Sequence, residues 1–159
     1  NGAFGPNGLA LRTSVDNSMR TGLEFSGEFK AMKNIIFTNN SSYNYSIIKQ
    51  DNIEFKPILT PKIIINQEIS YSLKNFTFSI ATRYQSNSYI NFENSESIDD
   101  YFILNGRIDY TIKKYYMSLF LNNITDTYYF NNGIVNSDGT NSYFVQAPRN
   151  IYFSIKKTF

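Results

Sequence analysis

The charged residues that could act on a ligand lie at alternate positions within apolar stretches. Glu24 and Glu28 are four residues apart, so both carboxylates fall on one face of an extended strand. Paired carboxylates are the groups that hydrolyse glycosides, one as acid and the other as base or nucleophile. The pattern favours a simpler interpretation, in which the two carboxylates are solvated in a lumen and pair with Arg83 or Arg107.

The composition excludes most kinds of catalytic chemistry. None of the 159 residues is His or Cys, which removes His-based triads, imidazole or thiolate metal sites and disulfides. A hydroxyl nucleophile would then need an activating Lys, and no Lys can be given that role. "NSDGTN" at 136–141 is rich in oxygen ligands but lacks the glutamate of a calcium loop, so it predicts a turn. We therefore predict a protein that is not an enzyme, with no catalytic residue, metal or cofactor.

The charge balance gives no sign of a nucleic-acid partner. Fifteen basic and thirteen acidic residues leave a net charge of +2, without the basic cluster that binds phosphates. No run of about 18 apolar residues predicts a transmembrane helix. The mean hydropathy of −0.35 is still compatible with a membrane barrel, because only alternate residues of its strands meet lipid.

The chain is organised as seven stretches in which apolar and polar residues alternate, the pattern of β-strands. They are RTGLEFSGEFK, NIIFTNNSSYNYSI, KIIINQEISYSL, NFTFSIATRYQ, YFILNGRIDYTI, YYMSLFLNNI and IYFSIKKTF. The second is the weakest, because Asn39 and Ser41 occupy apolar positions. Connections are short near 31–34, 73–75 and 113–115 but long at 49–60, 86–100 and 128–146. Short turns at one end and long loops at the other are typical of an outer-membrane barrel.

Two folds satisfy this alternation. In a wide barrel the apolar face meets lipid and the charged face meets a wet lumen or a plug; in a soluble β-sandwich the apolar face lines a dry core. The lumen-facing candidates of the barrel are Glu24, Glu28, Glu68, Arg83, Arg107 and Asp109. Tyrosines crowd the strand ends, which favours a lipid boundary. We predict an all-β fold, an antiparallel transmembrane β-barrel segment of about seven strands; the alternative is a soluble β-sandwich that binds a ligand or carbohydrate.

The long loops supply candidates for a rim that captures a ligand, since loops carry function more often than strands do. These candidates are Tyr89, Phe92, Tyr128, Phe130 and Tyr143. An interfacial aromatic girdle explains the same residues equally well, and none of them identifies the ligand.

The end of the sequence carries a resemblance. "IYFSIKKTF" resembles the terminal strand of Gram-negative outer-membrane proteins, in which alternating apolar residues and a final aromatic residue are read by the barrel-assembly machinery. Ile151, Phe153, Ile155 and Phe159 match this pattern. Lys157 departs from it, at a position where lysine costs little if it lies near the membrane interface.

A second resemblance is more specific. "NNITDTYY" followed by "YFVQAPRNIYFSIKKTF" resembles the last hairpin of TonB-dependent receptors, with an Asn-apolar-x-Asp-x-x-Tyr segment before a Pro-Arg and the final strand. The matching residues are Asn123, Ile124, Asp126, Tyr129, Ala147, Pro148 and Arg149. "RTGLEFSGEF" and "TPKIIINQEISYSL" are similar to upstream strands of that family.

The resemblance implies a piece of a larger protein, since the family forms plugged barrels of 22 strands. Residues 1–18 would be an extracellular loop, and residues 19–159 the C-terminal strands. The implied function is energy-coupled import of a scarce nutrient, such as a metal chelate or a glycan, across a Gram-negative outer membrane. The implied partners are outer-membrane lipid, the remaining strands and plug, an inner-membrane energy-coupling protein and the barrel-assembly machinery.

Overall fold

A computed structural model describes residues 17–159, which form twelve antiparallel strands and no helix. The strands are β1 (Asn17–Met32), β2 (Ile35–Gln50), β3 (Ile53–Phe55), β4 (Ile63–Leu73), β5 (Phe76–Gln85), β6 (Ser88–Tyr89), β7 (Ser97–Ile98), β8 (Tyr101–Ile112), β9 (Tyr115–Asn122), β10 (Phe130–Val135), β11 (Asn141–Val145) and β12 (Asn150–Lys157). The predicted extracellular loop over 1–18 lies outside the described residues except for Asn17 and Ser18, the first residues of β1. No helix in the described part of the chain is long and apolar enough to cross a membrane.

Seven long strands build one continuous sheet, which we call the wall. Its order is β1-β2-β4-β5-β8-β9-β12, and β3 pairs with the outer end of β2. These seven strands coincide with the seven alternating stretches of the sequence, so the all-β antiparallel prediction is confirmed. Within residues 17–159, β1 and β12 each keep an unpaired edge, and the sheet is not closed.

The wall has two unlike ends. Tight turns at 33–34, 74–75 and 113–114 define the turn end, while the long connections, which contain β6, β7, β10 and β11, define the loop end. Lys74 and Lys113 open their turns with φ of 53° and 51°, a left-handed conformation that costs a non-glycine residue about 1 kcal/mol. The short and long connections of the structure fall where the sequence predicts them.

The register places apolar and polar side chains on opposite faces of the wall. Tyr71 pairs with Phe78, Phe78 with Ile108, Ile108 with Leu119 and Leu119 with Phe153, so one apolar row continues across the sheet. The neighbouring positions are polar, and the surface hollows open mainly on that side, for example among Asn40, Asn66 and Arg83. The polar face is therefore concave and the apolar face convex.

The convex face is exposed rather than packed. Leu23 is 77% exposed, Ile80 59% and Phe153 55%. The buried hydrophobic residues of the described chain are Ile90, Ile98, Tyr101 and Ile103, all near the loop end. A β-sandwich would cover its apolar face with a second sheet; in the described part of the chain the apolar face of the wall is exposed, so the sandwich is not favoured.

Candidate functional site

The six charged positions predicted to face a lumen all lie on the concave face. Glu24 pairs with Ser42, Glu68 with Ala81, Arg83 with Asn66 and Arg107 with Ser79, and Asp109 stands opposite Ser118. Glu28 follows Glu24 on the same side of β1. That the concave face looks into a lumen remains a prediction.

Near the turn end, Asp109 is the centre of a buried charged group. Its Oδ1 accepts a hydrogen bond from Ser118 Oγ at 2.6 Å, and Arg107 Nε lies 2.9 Å from its Oδ2. Asp109 is only 5% exposed, so this carboxylate depends on both partners, since a buried charge without partners is strongly unfavourable. The Arg107 side chain is 41% exposed and presents the rest of its guanidinium to the concave space.

Arg83 holds a second network, made of neutral acceptors. Its Nη1 donates to Asn66 Oδ1 at 3.0 Å, its Nη2 to Gln85 Oε1 at 2.9 Å and its Nε to the Tyr101 hydroxyl at 3.3 Å. The Tyr101 hydroxyl in turn donates to Gln85 Oε1 at 3.0 Å. The described residues give Arg83 no carboxylate partner, so its positive charge remains available on the concave face.

The expectation that Glu24 and Glu28 pair with an arginine is wrong. Both stand on β1, three strands away from Arg83 on β5, and Arg107 is engaged by Asp109. Glu68 accepts a hydrogen bond from Ser70 Oγ at 2.9 Å. Among the described residues, no group of three or more His, Cys, Asp or Glu side chains is arranged to hold a metal.

At the loop end, segments from three long connections form what we call the loop body: residues 53–62, 86–98 and 128–146. Lys56 N donates to Asn94 Oδ1 at 2.6 Å, and Asn94 Nδ2 donates back to Lys56 O at 3.0 Å. Asn141 Nδ2 donates to Glu96 Oε2 at 2.6 Å, which joins the last connection to the middle one. Bonds between residues 38 and 45 positions apart make the three loops one unit.

The loop body presents an aromatic ladder, formed by Tyr128, Phe130 and Tyr143. The ring centres of Tyr128 and Phe130 are 5.1 Å apart, edge to face, and those of Phe130 and Tyr143 are 4.8 Å apart. Tyr128 is 73% exposed. Gly133 allows the last ring to approach, because a Cβ there would lie 3.0 Å from Tyr143 Cδ1.

The structure brings three of the five rim candidates together and separates the other two. Phe92 packs edge to face against Phe55, with ring centres 5.6 Å apart. Tyr89 lies under Lys56, whose Nζ is 5.4 Å from the ring centre. Beside it is a cleft of about 130 Å³ between β2 and two loops, lined by Ser46, Lys62 and Ser88 among others. The cleft combines two ammonium groups with hydroxyls and amides.

The hairpin motif forms a clamp at the base of the last loop. Asn123, 3% exposed, donates from Nδ2 to Thr127 O at 2.9 Å and to Ala147 O at 3.3 Å, and its Oδ1 accepts from Thr127 N at 2.9 Å. Asp126 Oδ1 accepts from Arg149 N at 2.9 Å. The two halves of the motif, about 25 residues apart, are thus directly bonded.

Tyr129 and Pro148 complete the motif. The Tyr129 ring lies 4.6 Å from that of Tyr101, and burial there raises the pKa of the Tyr129 phenol above its ordinary value of 10. Pro148 O accepts from Asn150 Nδ2 at 2.9 Å, at the start of β12. The motif therefore connects the loop body, β8 and the last strand.

Of the four residues proposed as an assembly signal, three lie on the convex face of β12 and the fourth follows the end of that strand. Ile151, Phe153 and Ile155 pair with Leu121, Leu119 and Met117, and Phe159 is 97% exposed after the end of β12. Lys157 Nζ lies 5.1 Å from the Phe159 ring centre and 5.9 Å from that of Tyr115. Lys157, the residue that departs from the terminal-strand pattern, thus lies between two aromatic rings at the turn end.

Sequence reasoning missed the residues that join distant segments. Asn94 and Asn141 connect the loops, and Asn105 Oδ1 accepts from Asn123 N at 2.9 Å. Because asparagine is frequent along the whole sequence, nothing in the sequence distinguishes these three from the others. Gln85 and Tyr101 carried a usable signal, since they end and begin neighbouring long strands and so face each other across a pair.

No protein-family model matches the sequence, and no curated protein matches it. Solved structures do match over most of the chain. The ferric yersiniabactin uptake receptor FyuA from Yersinia pestis is similar over 89% of this chain and 24% of its own, with a TM-score of 0.78 and 14% identity. The pyoverdine outer membrane receptor FpvA from Pseudomonas aeruginosa is similar over 98% and 23%, with a TM-score of 0.70 and 19% identity.

BauA, the ferric preacinetobactin receptor from Acinetobacter baumannii, is similar over 94% of this chain and 23% of its own, with a TM-score of 0.69 and 17% identity. The chain therefore spans about a quarter of the length of the receptors it resembles. The wall and its loops have the fold of a barrel segment from TonB-dependent outer-membrane receptors.

Proposed function

We propose that this chain is part of an energy-coupled receptor that imports a scarce nutrient across a Gram-negative outer membrane. The observation that carries the proposal is the wall, a single curved sheet with an exposed apolar convex face, a polar concave face and the fold of receptor barrels. In this assignment the convex face meets lipid, the concave face meets the lumen and the loop end is extracellular.

The names of the similar structures favour a metal chelate over a glycan as the nutrient, since FyuA and BauA are named as receptors of ferric chelates. Capture would involve the aromatic ladder, which offers the exposed ring of Tyr128 beside the half-buried ring of Phe130, and the cleft beside Lys56 and Lys62, which offers positive charge to an anionic chelate. Aromatic rings and a few charged groups in a concave site are typical of small-ligand recognition.

The remaining partners follow from the unclosed sheet. The edges of β1 and β12 would pair with the other strands of the barrel, and the concave groups Arg83 and Arg107 would contact a plug that couples to an inner-membrane protein. Ile151, Phe153, Ile155 and Phe159 would be read by the barrel-assembly machinery.

Two experiments test the proposal. First, the full receptor is refolded with and without lipid vesicles and followed by circular dichroism and heat-modifiable gel mobility; we expect β-structure only with lipid. A chain that folds cooperatively and stays soluble without lipid would overturn the proposal.

Second, uptake of radioactive iron is measured in cells expressing the receptor, with ferric hydroxamate, catecholate and carboxylate chelates supplied in turn. For the chelate that is imported, Phe130→Ala should raise the half-saturating concentration about 5- to 30-fold, because a ring contact contributes about 1–2 kcal/mol. Phe144→Ala is the control, an exposed ring of the same hairpin outside the ladder. Uptake of no chelate, or equal effects of the two changes, would contradict the assignment.

A further inference from the structure

The convex face is interrupted at one place by small and polar residues, which we call the polar notch. It contains Gly27, Asn39, Ser41, Gln67 and Thr82. Gly27 pairs with Asn39, Asn39 with Gln67, and Gln67 with Thr82. The notch is thus one row across four neighbouring strands, with Ser41 beside it.

Most of the notch is satisfied internally. Asn39 is 7% exposed; its Oδ1 accepts from Ser41 Oγ at 3.0 Å and from Gln67 Nε2 at 3.3 Å, and its Nδ2 donates to Phe25 O at 3.4 Å. The Phe25 ring leans over Gly27, 3.6 Å from where a Cβ would stand.

Gln67 differs from Asn39, because Gln67 is exposed. Among the described residues its Oε1 accepts no hydrogen bond. Tyr71 and Ile63, which pairs with Tyr43, lie four residues away on either side, about 13 Å along the strand in each direction. If the convex face meets lipid, which rests on the proposed function, Gln67 lies between the levels of Tyr71 and Tyr43, within the hydrocarbon.

An amide carbonyl in hydrocarbon loses its water without gaining a partner, which is unfavourable. Lipid tails offer no donor, and lipid headgroups lie at the interfaces. A primary amide carries both a donor and an acceptor, so it is complementary to a second copy of itself. Contact across a two-fold axis places the same residue on both sides of an interface.

We propose that the polar notch is a contact site between two copies of the receptor within the membrane, in which the Gln67 amides of the two copies bond to each other. The surroundings suit such a contact. Phe25 is 67% exposed, Ile69 52% and Ile80 59%, so an apolar rim encloses the amide and would exclude lipid from the pair, as at interface hot spots.

Crosslinking of the full receptor in lipid vesicles tests the proposal. Ile69→Cys keeps Gln67 and puts a thiol on the rim; this chain has no cysteine of its own, and any elsewhere in the receptor are replaced first. A short bifunctional maleimide should link Ile69→Cys receptors into dimers. Ile108→Cys, on the same face two strands further along the wall, should stay monomeric.

Adding Gln67→Leu to the Ile69→Cys receptor should lower the dimer yield about tenfold, because two hydrogen bonds in the membrane are lost. Equal yields with and without Gln67→Leu, equal linking at 69 and 108, or no linking at either position would overturn the proposal. Heat-modifiable mobility is measured on each variant. Receptor that never inserts counts against the proposed function, whereas inserted monomer counts against the notch alone.

Discussion

At the scale of single residues, Asn123 shows how one buried amide holds segments that are distant in the chain. It makes three side-chain hydrogen bonds at the base of the last loop while 3% exposed. Asn122, its neighbour, makes one side-chain bond to Asn150 Oδ1 at 2.9 Å. The difference in number and burial predicts different costs for the two side chains.

Asn123→Ala should lower the free energy of unfolding by about 2–4 kcal/mol, because it removes three hydrogen bonds made by a side chain that is itself buried. Asn122→Ala, the matched control, should lower it by about 1 kcal/mol. Urea unfolding of the full receptor in vesicles measures both. Equal losses in the two variants would show that the clamp stabilises the fold no more than a single side-chain hydrogen bond does.

Asp138 predicts a local dependence on pH. The Thr140 hydroxyl and backbone N–H both donate to its Oδ1, at 2.7 and 3.0 Å, and these bonds hold the pKa of the Asp138 carboxyl below its ordinary value of 3.8. The ionised carboxylate therefore stabilises the turn above pH 3.8, and this stabilisation is lost as the pH falls through the lowered pKa. The protection of the amides at 139–141 against hydrogen exchange, measured relative to the intrinsic exchange rate at each pH, should fall in acid, and Asp138→Ala should abolish that pH dependence.

At the scale of elements, the tight turns contain a conformational cost that the sequence does not avoid. Lys113 adopts a φ of 51° whereas its neighbour Lys114 is not in the left-handed region. Lys113→Gly should therefore stabilise the receptor by up to about 1 kcal/mol. Lys114→Gly, in the same turn, should be neutral or destabilising, because it adds only chain entropy to the unfolded state. Thermal unfolding of the two variants compares them directly.

Within the loop body, Asn94 connects the loop over 86–98 to the loop over 53–62. Asn94→Gly removes both bonds to the Lys56 backbone but accepts the φ of 56°. Hydrogen exchange should accelerate in both 53–62 and 86–98, while the wall keeps its protection. Asn52→Gly is the control, with a φ of 64° and no side-chain bond of this kind. Acceleration confined to 86–98 would mean that the loops move independently.

At the scale of the whole molecule, the proposed function predicts that of two adjacent residues in one strand, one contacts lipid and the other contacts water. Ile80 lies on the convex face, and Ala81 lies on the concave face between Glu68 and Asn105. An environment-sensitive dye on Ile80→Cys should be quenched by brominated lipid, and the same dye on Ala81→Cys should be quenched by aqueous iodide. Quenching of both by iodide would contradict a lipid-facing wall.

The sequence by itself determined the strands, their alternation and the two unlike ends of the wall. This is because side-chain direction in a strand repeats every two residues, so the face of Arg83 or Phe153 is readable from local spacing alone. The same period made Asn39 visible as an exception within its strand. Turn positions were equally local, since a few residues decide them.

Only the tertiary structure decided which residues meet across long separations. The bond from Asn141 to Glu96 and the clamp of Asn123 on Ala147 depend on strand order and register, which no local pattern encodes. The tertiary structure also showed that Glu24 does not pair with Arg83, because two residues on the same face of the sheet can still lie three strands apart. A side chain's face is set by its own backbone, but its partners are set by how the whole sheet brings distant strands together.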